Sequence, residues 1–272
     1  MDKDSRPKRY FWRRGAAFVV DFLLAYAWAL VILAAANAVT GSDVYYWRGI
    51  ATRTACSEAA PSPLLADINA SLPVVAGWSR VVGLCEVSAV GGKTQHILAV
   101  NDWIRDANIT KTGSFTIPVS AAGDEFDSSL RLDPTVLVAY VLMIAWAWAA
   151  GRSPGKRLLG LAVQPVTGTD QAGSRALRRE LLRLGPLALL PLVDVVTTLA
   201  TWRLADTLPA YLRFMQFIMN NMFVLIALST VLGLPIAIYY VIPLLRWRGQ
   251  TFYDRLARTM VVRANGNGES LG

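Results

Sequence analysis

Asp21 and Asp194 each lie inside a long apolar stretch of this 272-residue chain. An aspartate at the centre of a membrane helix costs about 2.5–3.5 kcal/mol on insertion scales, so it must face a bundle interior, water or a cation. Two chemistries fit such a group. With access to water it can exchange protons or small cations; with a fixed partner it orients helices. Asp21 sits about six residues into its stretch, roughly 9 Å from the start at 1.5 Å per residue. Arg14 precedes it by seven residues, on nearly the same helix face but about 10.5 Å away along the axis. Helical side chains lean toward the N-terminus, so Arg14 points back toward the interface and each group needs a partner elsewhere. Arg183 enters its own stretch from the same side and is the candidate ion-pair partner of Asp21; Asp254 is the candidate for Arg14.

Asp194 lies about 13 residues into a stretch interrupted by Gly185, Pro186 and Pro191. Broken helices with an acid near the midplane build ion sites in transporters. The plainer alternative is a kinked helix with Asp194 at its outer end. Asn220, Asn221 and Ser229 either line a polar path or join helices by hydrogen bonds. Asp21, Asp194, Asn220 and Asn221 are thus the candidate ion pathway.

Other chemistry is missing. His96 is the only histidine, and Cys56 and Cys85 are the only cysteines; these three do not supply the four ligands of a structural zinc site, so no metal is expected. The run Gly155-Lys156-Arg157 lacks the Ser or Thr that follows the lysine of a phosphate loop. No serine sits in a nucleophile elbow. The expectation is no catalytic residue, no cofactor and no enzyme activity. A net charge of +8 would suggest nucleic acid in a soluble chain, but here the basic residues flank apolar stretches. Membrane orientation and anionic lipid explain them, and no nucleic-acid partner is expected.

The elements that position these residues follow from composition. The chain is 54% hydrophobic and 17% charged, against about a quarter charged in soluble domains. Four apolar stretches run over about residues 15–39, 134–150, 181–200 and 217–245. The first exceeds the roughly 20 residues that cross hydrocarbon. Arg6, Lys8, Arg9, Arg13 and Arg14 before it also suit a signal peptide, but its length, Asp21 and Asn37 favour a retained helix. The third is the weakest span and has an interfacial or re-entrant helix as its alternative. Basic residues flank the first, second and last stretches on one side, which the positive-inside rule makes cytoplasmic. Both termini are then cytoplasmic in a multi-pass protein of the cell (inner) membrane, with Trp12, Trp202, Tyr211 and Trp247 as interfacial aromatics.

Residues 41–133 are then extracytoplasmic. In that compartment Cys56 and Cys85 are expected to form a disulfide, with two unpaired thiols as the alternative. Short strands are expected near Val82 and Phe115, and the apolar segment Val74 to Leu84 is expected to pack on the membrane part. Asn69 and Asn108 begin glycosylation-type triplets, which matter only in a eukaryotic secretory pathway. The fold class is therefore an all-α membrane protein of about four transmembrane helices with a small mixed or β-containing extracytoplasmic loop domain. Its parts are a cytoplasmic tail and first helix (1–40), the loop domain (41–133), the remaining helices with their basic segment and closing motif (134–265), and a flexible tail (266–272).

Trp12-Arg13-Arg14-Gly15-Ala16-Ala17-Phe18-Val19-Val20-Asp21 resembles the opening of the RDD family of membrane proteins. Ser153-Pro154-Gly155-Lys156-Arg157-Leu158-Leu159-Gly160-Leu161 is similar to that family's Pro-Gly-Lys stretch, and the run from Leu177 to Arg183 to its Arg-containing helix. The run from Gln250 to Val262 resembles its closing motif, with Tyr253 where many members carry histidine and Arg258 where many carry glycine. By this resemblance Arg14, Asp21 and Asp254 are the family's arginine and two aspartates, while the long loop and Asp194 fall outside its pattern. The resemblance implies a bacterial or archaeal cell-membrane protein with a suggested transport role, some members being linked to sodium/proton antiport. On that reading Asp21 exchanges a cation for a proton, Arg14 and Asp254 form a gate or clasp, and a homodimer encloses the pathway. The alternative is a non-transporting scaffold or accessory subunit whose outer loop binds a protein partner.

Overall fold

The computed structural model describes residues 10–39, 44–45, 52–90, 93–106, 109–165, 172–245 and 251–263. Arg6, Lys8, Arg9, Asn108, Arg246, Trp247, Arg248 and the segment 266–272 lie outside these described residues. The helices are α1 (Phe11–Val39), α2 (Pro63–Ser71), α3 (Thr135–Ala150), α4 (Pro154–Leu158), α5 (Ala172–Leu204), α6 (Leu208–Asn220), α7 (Met222–Leu245) and α8 (Phe252–Leu256). The strands are β1 (Val44–Tyr45), β2 (Thr52–Glu58), β3 (Ser79–Ala89), β4 (Gln95–Asp106), β5 (Ile109–Val119), β6 (Leu130–Arg131), β7 (Leu161–Pro165) and β8 (Thr259–Arg263). The chain divides into two compact units: Met1–Val31, Pro134–Asp194 and Ile226–Gly272 form one, and Ile32–Asp133 with Val195–Leu225 the other.

Among the described residues, three helical segments are long and apolar enough to cross a membrane: Phe11–Val39, Ala176–Leu204 and Met222–Tyr240. Their outward side chains, such as Val19, Leu189 and Val231, are exposed. Such a surface suits hydrocarbon, not water, and the chain is a membrane protein. The expectation of about four spans is met in part. The uncharged helix α3 has only 16 residues, about 24 Å at 1.5 Å per residue, against roughly 30 Å of hydrocarbon. The last predicted stretch is also divided, because α6 ends at Asn220 and helix resumes at Met222.

Helix α5 corrects a second expectation. Pro186 and Pro191 do not interrupt it; both lie inside a continuous helix of 33 residues. Proline at position 186 has no N–H to donate to the carbonyl four residues back. That carbonyl is Leu182 O, and the Tyr239 hydroxyl donates to it at 2.8 Å. Tyr240 donates its hydroxyl to Arg183 O in the same way. The Tyr239 hydroxyl thus takes the place of the donor that Pro186 lacks.

In the first unit α1 and α3 meet through Ala25, Ala29, Ala139 and Met143, with Leu184 of α5 in the same core. Alanines at such contacts let backbones approach closely. Helix α3 stops at Gly151, whose φ of 65° is the left-handed conformation glycine adopts without strain. The turn into α4 follows, then β7, which pairs antiparallel with β8 through Val163 and Val261.

The all-α label fits only in part, and the expected β-containing domain is present in the second unit. Its centre is a four-stranded antiparallel sheet in the order β2-β3-β4-β5. Register places Val82 and Leu84 opposite Val100 and Leu98, and these opposite Phe115 and Ile117. The alternation in each strand puts every second side chain on one face. That face packs on Leu64, Ile68 and Leu72, from α2 and the residue that ends it, and on Leu212 of α6. Helix α2 starts where the Ser62 hydroxyl accepts from Leu65 N, with Pro63 in the first turn. Val82 and Leu84 therefore belong to the sheet core and not to a membrane contact, while Val74 and Val75 are exposed. Cys56 and Cys85 face each other across β2 and β3 and form a disulfide. Trp202 and Tyr211, expected as interfacial aromatics, donate to Ser128 O and Thr116 O within this unit; burial pushes the Tyr211 hydroxyl up to about 12.

Candidate functional site, a buried ionic clasp

The first unit gathers its charges where α1, α4, α5 and α8 meet. Asp21 on α1 is 1% exposed. Its Oδ2 accepts from the Ser153 hydroxyl at 2.5 Å and its Oδ1 from the Gly155 amide at 2.6 Å. Ser153-Pro154-Gly155 is shaped for this. Proline opens α4 without needing its missing donor. A Cβ on Gly155 would fall 2.2 Å from the Ala17 carbonyl oxygen, so only glycine lets the turn approach α1 this closely.

Asp254 on α8 is fully buried. It accepts from Arg14 Nη1 at 2.7 Å and from Arg179 Nε at 2.6 Å. Thr251 caps α8 and exchanges hydrogen bonds with Asp254 in a capping box. Burial pushes the Asp254 carboxyl up, but the charges of Arg179 and Arg14 and the Thr251 hydrogen bond outweigh it and hold it below the usual carboxylate value.

Glu180 continues the network. Its Oε1 accepts from Lys156 Nζ at 2.6 Å and from Arg179 Nη1 at 2.5 Å, and its Oε2 from Arg183 Nη1 at 3.1 Å. Burial pushes the Lys156 ammonium down to about 8, against the opposing pull of Glu180. Arg179 thus bridges two acids, and its guanidinium also lies 5.5 Å from the Tyr253 ring centroid. A cavity of about 260 Å³ adjoins this network, lined on its polar side by Arg14, Lys156, Arg179 and Arg183. Asp21 is not among its lining residues.

The predicted site residues separate on this geometry. Arg14, Asp21 and Asp254 all enter the region of the clasp. Arg183 is corrected: it does not pair with Asp21 but with Glu180, and its guanidinium lies 5.0 Å from the Phe18 ring centroid. Glu180 is one turn before Arg183 on the same helix face, so it is the nearest carboxylate by construction. Asp194 is exposed on α5. Asn220 and Asn221 stand at the α6–α7 junction of the other unit, where Asn221 Nδ2 donates to Phe217 O. Sequence reading passed over Glu180, Lys156 and Arg179 as site residues. The available signal was one acid set among Arg178, Arg179 and Arg183 at the mouth of an apolar span, where an unpaired acid is expensive.

Helices long and apolar enough to cross a membrane, joined by a clasp in which Arg14, Arg179, Arg183 and Lys156 meet Asp254 and Glu180, define a membrane protein organised around buried ion pairs. The sequence profile of the RDD family matches residues 114–257, more than half of the chain, and the chain belongs to the RDD family. The match contains Asp254 but starts well after Arg14 and Asp21; Arg14 is joined to it by the ion pair. No curated protein and no solved structure matches the chain.

Proposed function

We propose that this protein is a non-transporting scaffold or accessory subunit of the cell membrane. In this reading it crosses the membrane four times, keeps both termini in the cytoplasm, and presents its outer unit to a protein partner. It has no catalytic role. The observation that carries the reading is the contrast between two regions. The segment between α1 and α3 folds as a sheet with its own core and disulfide. Asp21, the carboxylate an exchanger would use, is closed off by Ser153 and Gly155. Strand β2 is an edge of the sheet and is exposed along all seven residues, and an exposed edge is a template for an added strand. A photo-crosslinking residue at Thr54, in intact cells, should give one discrete adduct; a featureless ladder, or none, argues against a partner.

Four crossings require α3 to count as a short span over which the bilayer thins. They place Arg13, Arg152, Arg157, Arg178 and Arg255 on the cytoplasmic side, as the positive-inside rule asks.

Cation/proton exchange is the second reading, favoured by two buried acids, Asp21 within the apolar helix α1 and Asp254 on the short helix α8. Proteoliposomes with a pH dye and imposed Na⁺, K⁺ or Li⁺ gradients separate the two. The scaffold reading expects no flux above empty liposomes. Flux that disappears in Asp21→Asn would replace it with exchange, with a homodimer as the natural enclosure.

A further inference from the structure

The cavity beside the clasp has the chemistry of an amphiphile site. Its charged wall is cationic at four positions. Four cations line it, Arg14, Lys156, Arg179 and Arg183, and the carboxylates that meet them are Asp254 and Glu180. Donor capacity is also left over. Lys156, 5% exposed, carries three N–H donors and uses one, to Glu180, among the described residues. Arg183 carries five and uses one, also to Glu180. Both face the cavity.

The remaining wall is apolar, formed by residues such as Phe11, Phe18, Leu187 and Val261. The cavity's depth in the membrane follows from the helices. Its residues come from the first turns of the span Phe11–Val39, the first turns of the span Ala176–Leu204, and Tyr239 and Tyr240 at the end of the span Met222–Tyr240. Span ends lie at the level of lipid headgroups. Unused cationic donors on one wall and hydrocarbon on the other, at that depth, match a phosphate joined to an acyl chain.

We propose that this cavity binds one anionic phospholipid, with its phosphate on Lys156 and Arg183 and its acyl chain along Phe18 and Leu187. The full chain, purified in neutral detergent, would be incubated with phosphatidylglycerol, phosphatidylcholine or inorganic phosphate, and bound molecules counted by native mass spectrometry. Phosphatidylglycerol should bind at least about fivefold more tightly than phosphatidylcholine, and Lys156→Gln or Arg183→Gln should each remove about that factor, the usual worth of one cation near an anionic lipid. Leu187→Trp keeps every charge but fills the apolar wall, and it should also release the lipid while the lipid-free melting temperature stays within a few degrees. The proposal is overturned by equal binding of the two lipids, by full retention in Leu187→Trp, or by inorganic phosphate displacing phosphatidylglycerol. That last result would assign the cavity to a soluble anion.

Discussion

At the residue scale, Asp254 is the group on which the clasp depends. It is fully buried and meets two arginines from different helices. Removing one member of a buried charge set leaves the others unpaired, which costs about 3–5 kcal/mol. Asp254→Asn should therefore lower the melting temperature of the nanodisc-embedded protein far more than Asp194→Asn, which changes an exposed group. The pH dependence has a definite sign. The folded carboxyl titrates below its ordinary value of 3.8, so its contribution is complete above that value and is lost as pH falls through the lower folded one. Melting curves from pH 7 down to pH 3 should show a larger acid loss in the parent than in Asp254→Asn. An acid limb unchanged by the substitution would mean that another carboxylate governs it.

At the element scale, α5 shows how a helix survives its own sequence. Pro186 frees the Leu182 carbonyl, and Tyr239 supplies the donor from another helix. Leaving a buried acceptor without a partner costs about 1–3 kcal/mol. Tyr239→Phe should cost that much in thermal or denaturant unfolding, and Tyr239→Phe in a Pro186→Ala background should cost much less, because alanine restores the N–H. The same element shows where sequence reading stops. The apolar lengths of α1 and α7 and the pairing of Cys56 with Cys85 were legible, because hydrophobic length and compartment determine them locally. The prolines of α5 pointed to a break because the compensating hydroxyl lies 57 residues away. The pairing of Arg183 with Glu180 instead of Asp21 escapes the sequence for a related reason: depth in the membrane is readable from a sequence, but rotation about a helix axis is not. The sheet was understated because its signal is a two-residue alternation in Leu98, Val100, Ile117 and Val119, weaker than an apolar run of 20.

At the scale of the whole molecule, orientation is the property most open to direct measurement. Alkaline phosphatase fused after Arg131 should be active, and fused at the C-terminus it should be inactive, if the outer unit and the tail lie on opposite sides of the membrane. Activity at both sites would remove one crossing and make α3 a surface helix. The clasp also sets a schedule for synthesis. Arg14 and Asp254 are separated by 240 residues, and at about 5–20 residues per second the ribosome needs roughly 12–48 s to deliver the second after the first. As that interval closes, Arg14, Asp21 and the Arg179–Glu180 pair are already made, and the acid that joins Arg14 to Arg179 does not yet exist. A nascent chain halted before α8 would carry these cations at the ends of inserted helices with one carboxylate missing. Helix α8 thus closes the clasp only after the helices it joins have been made.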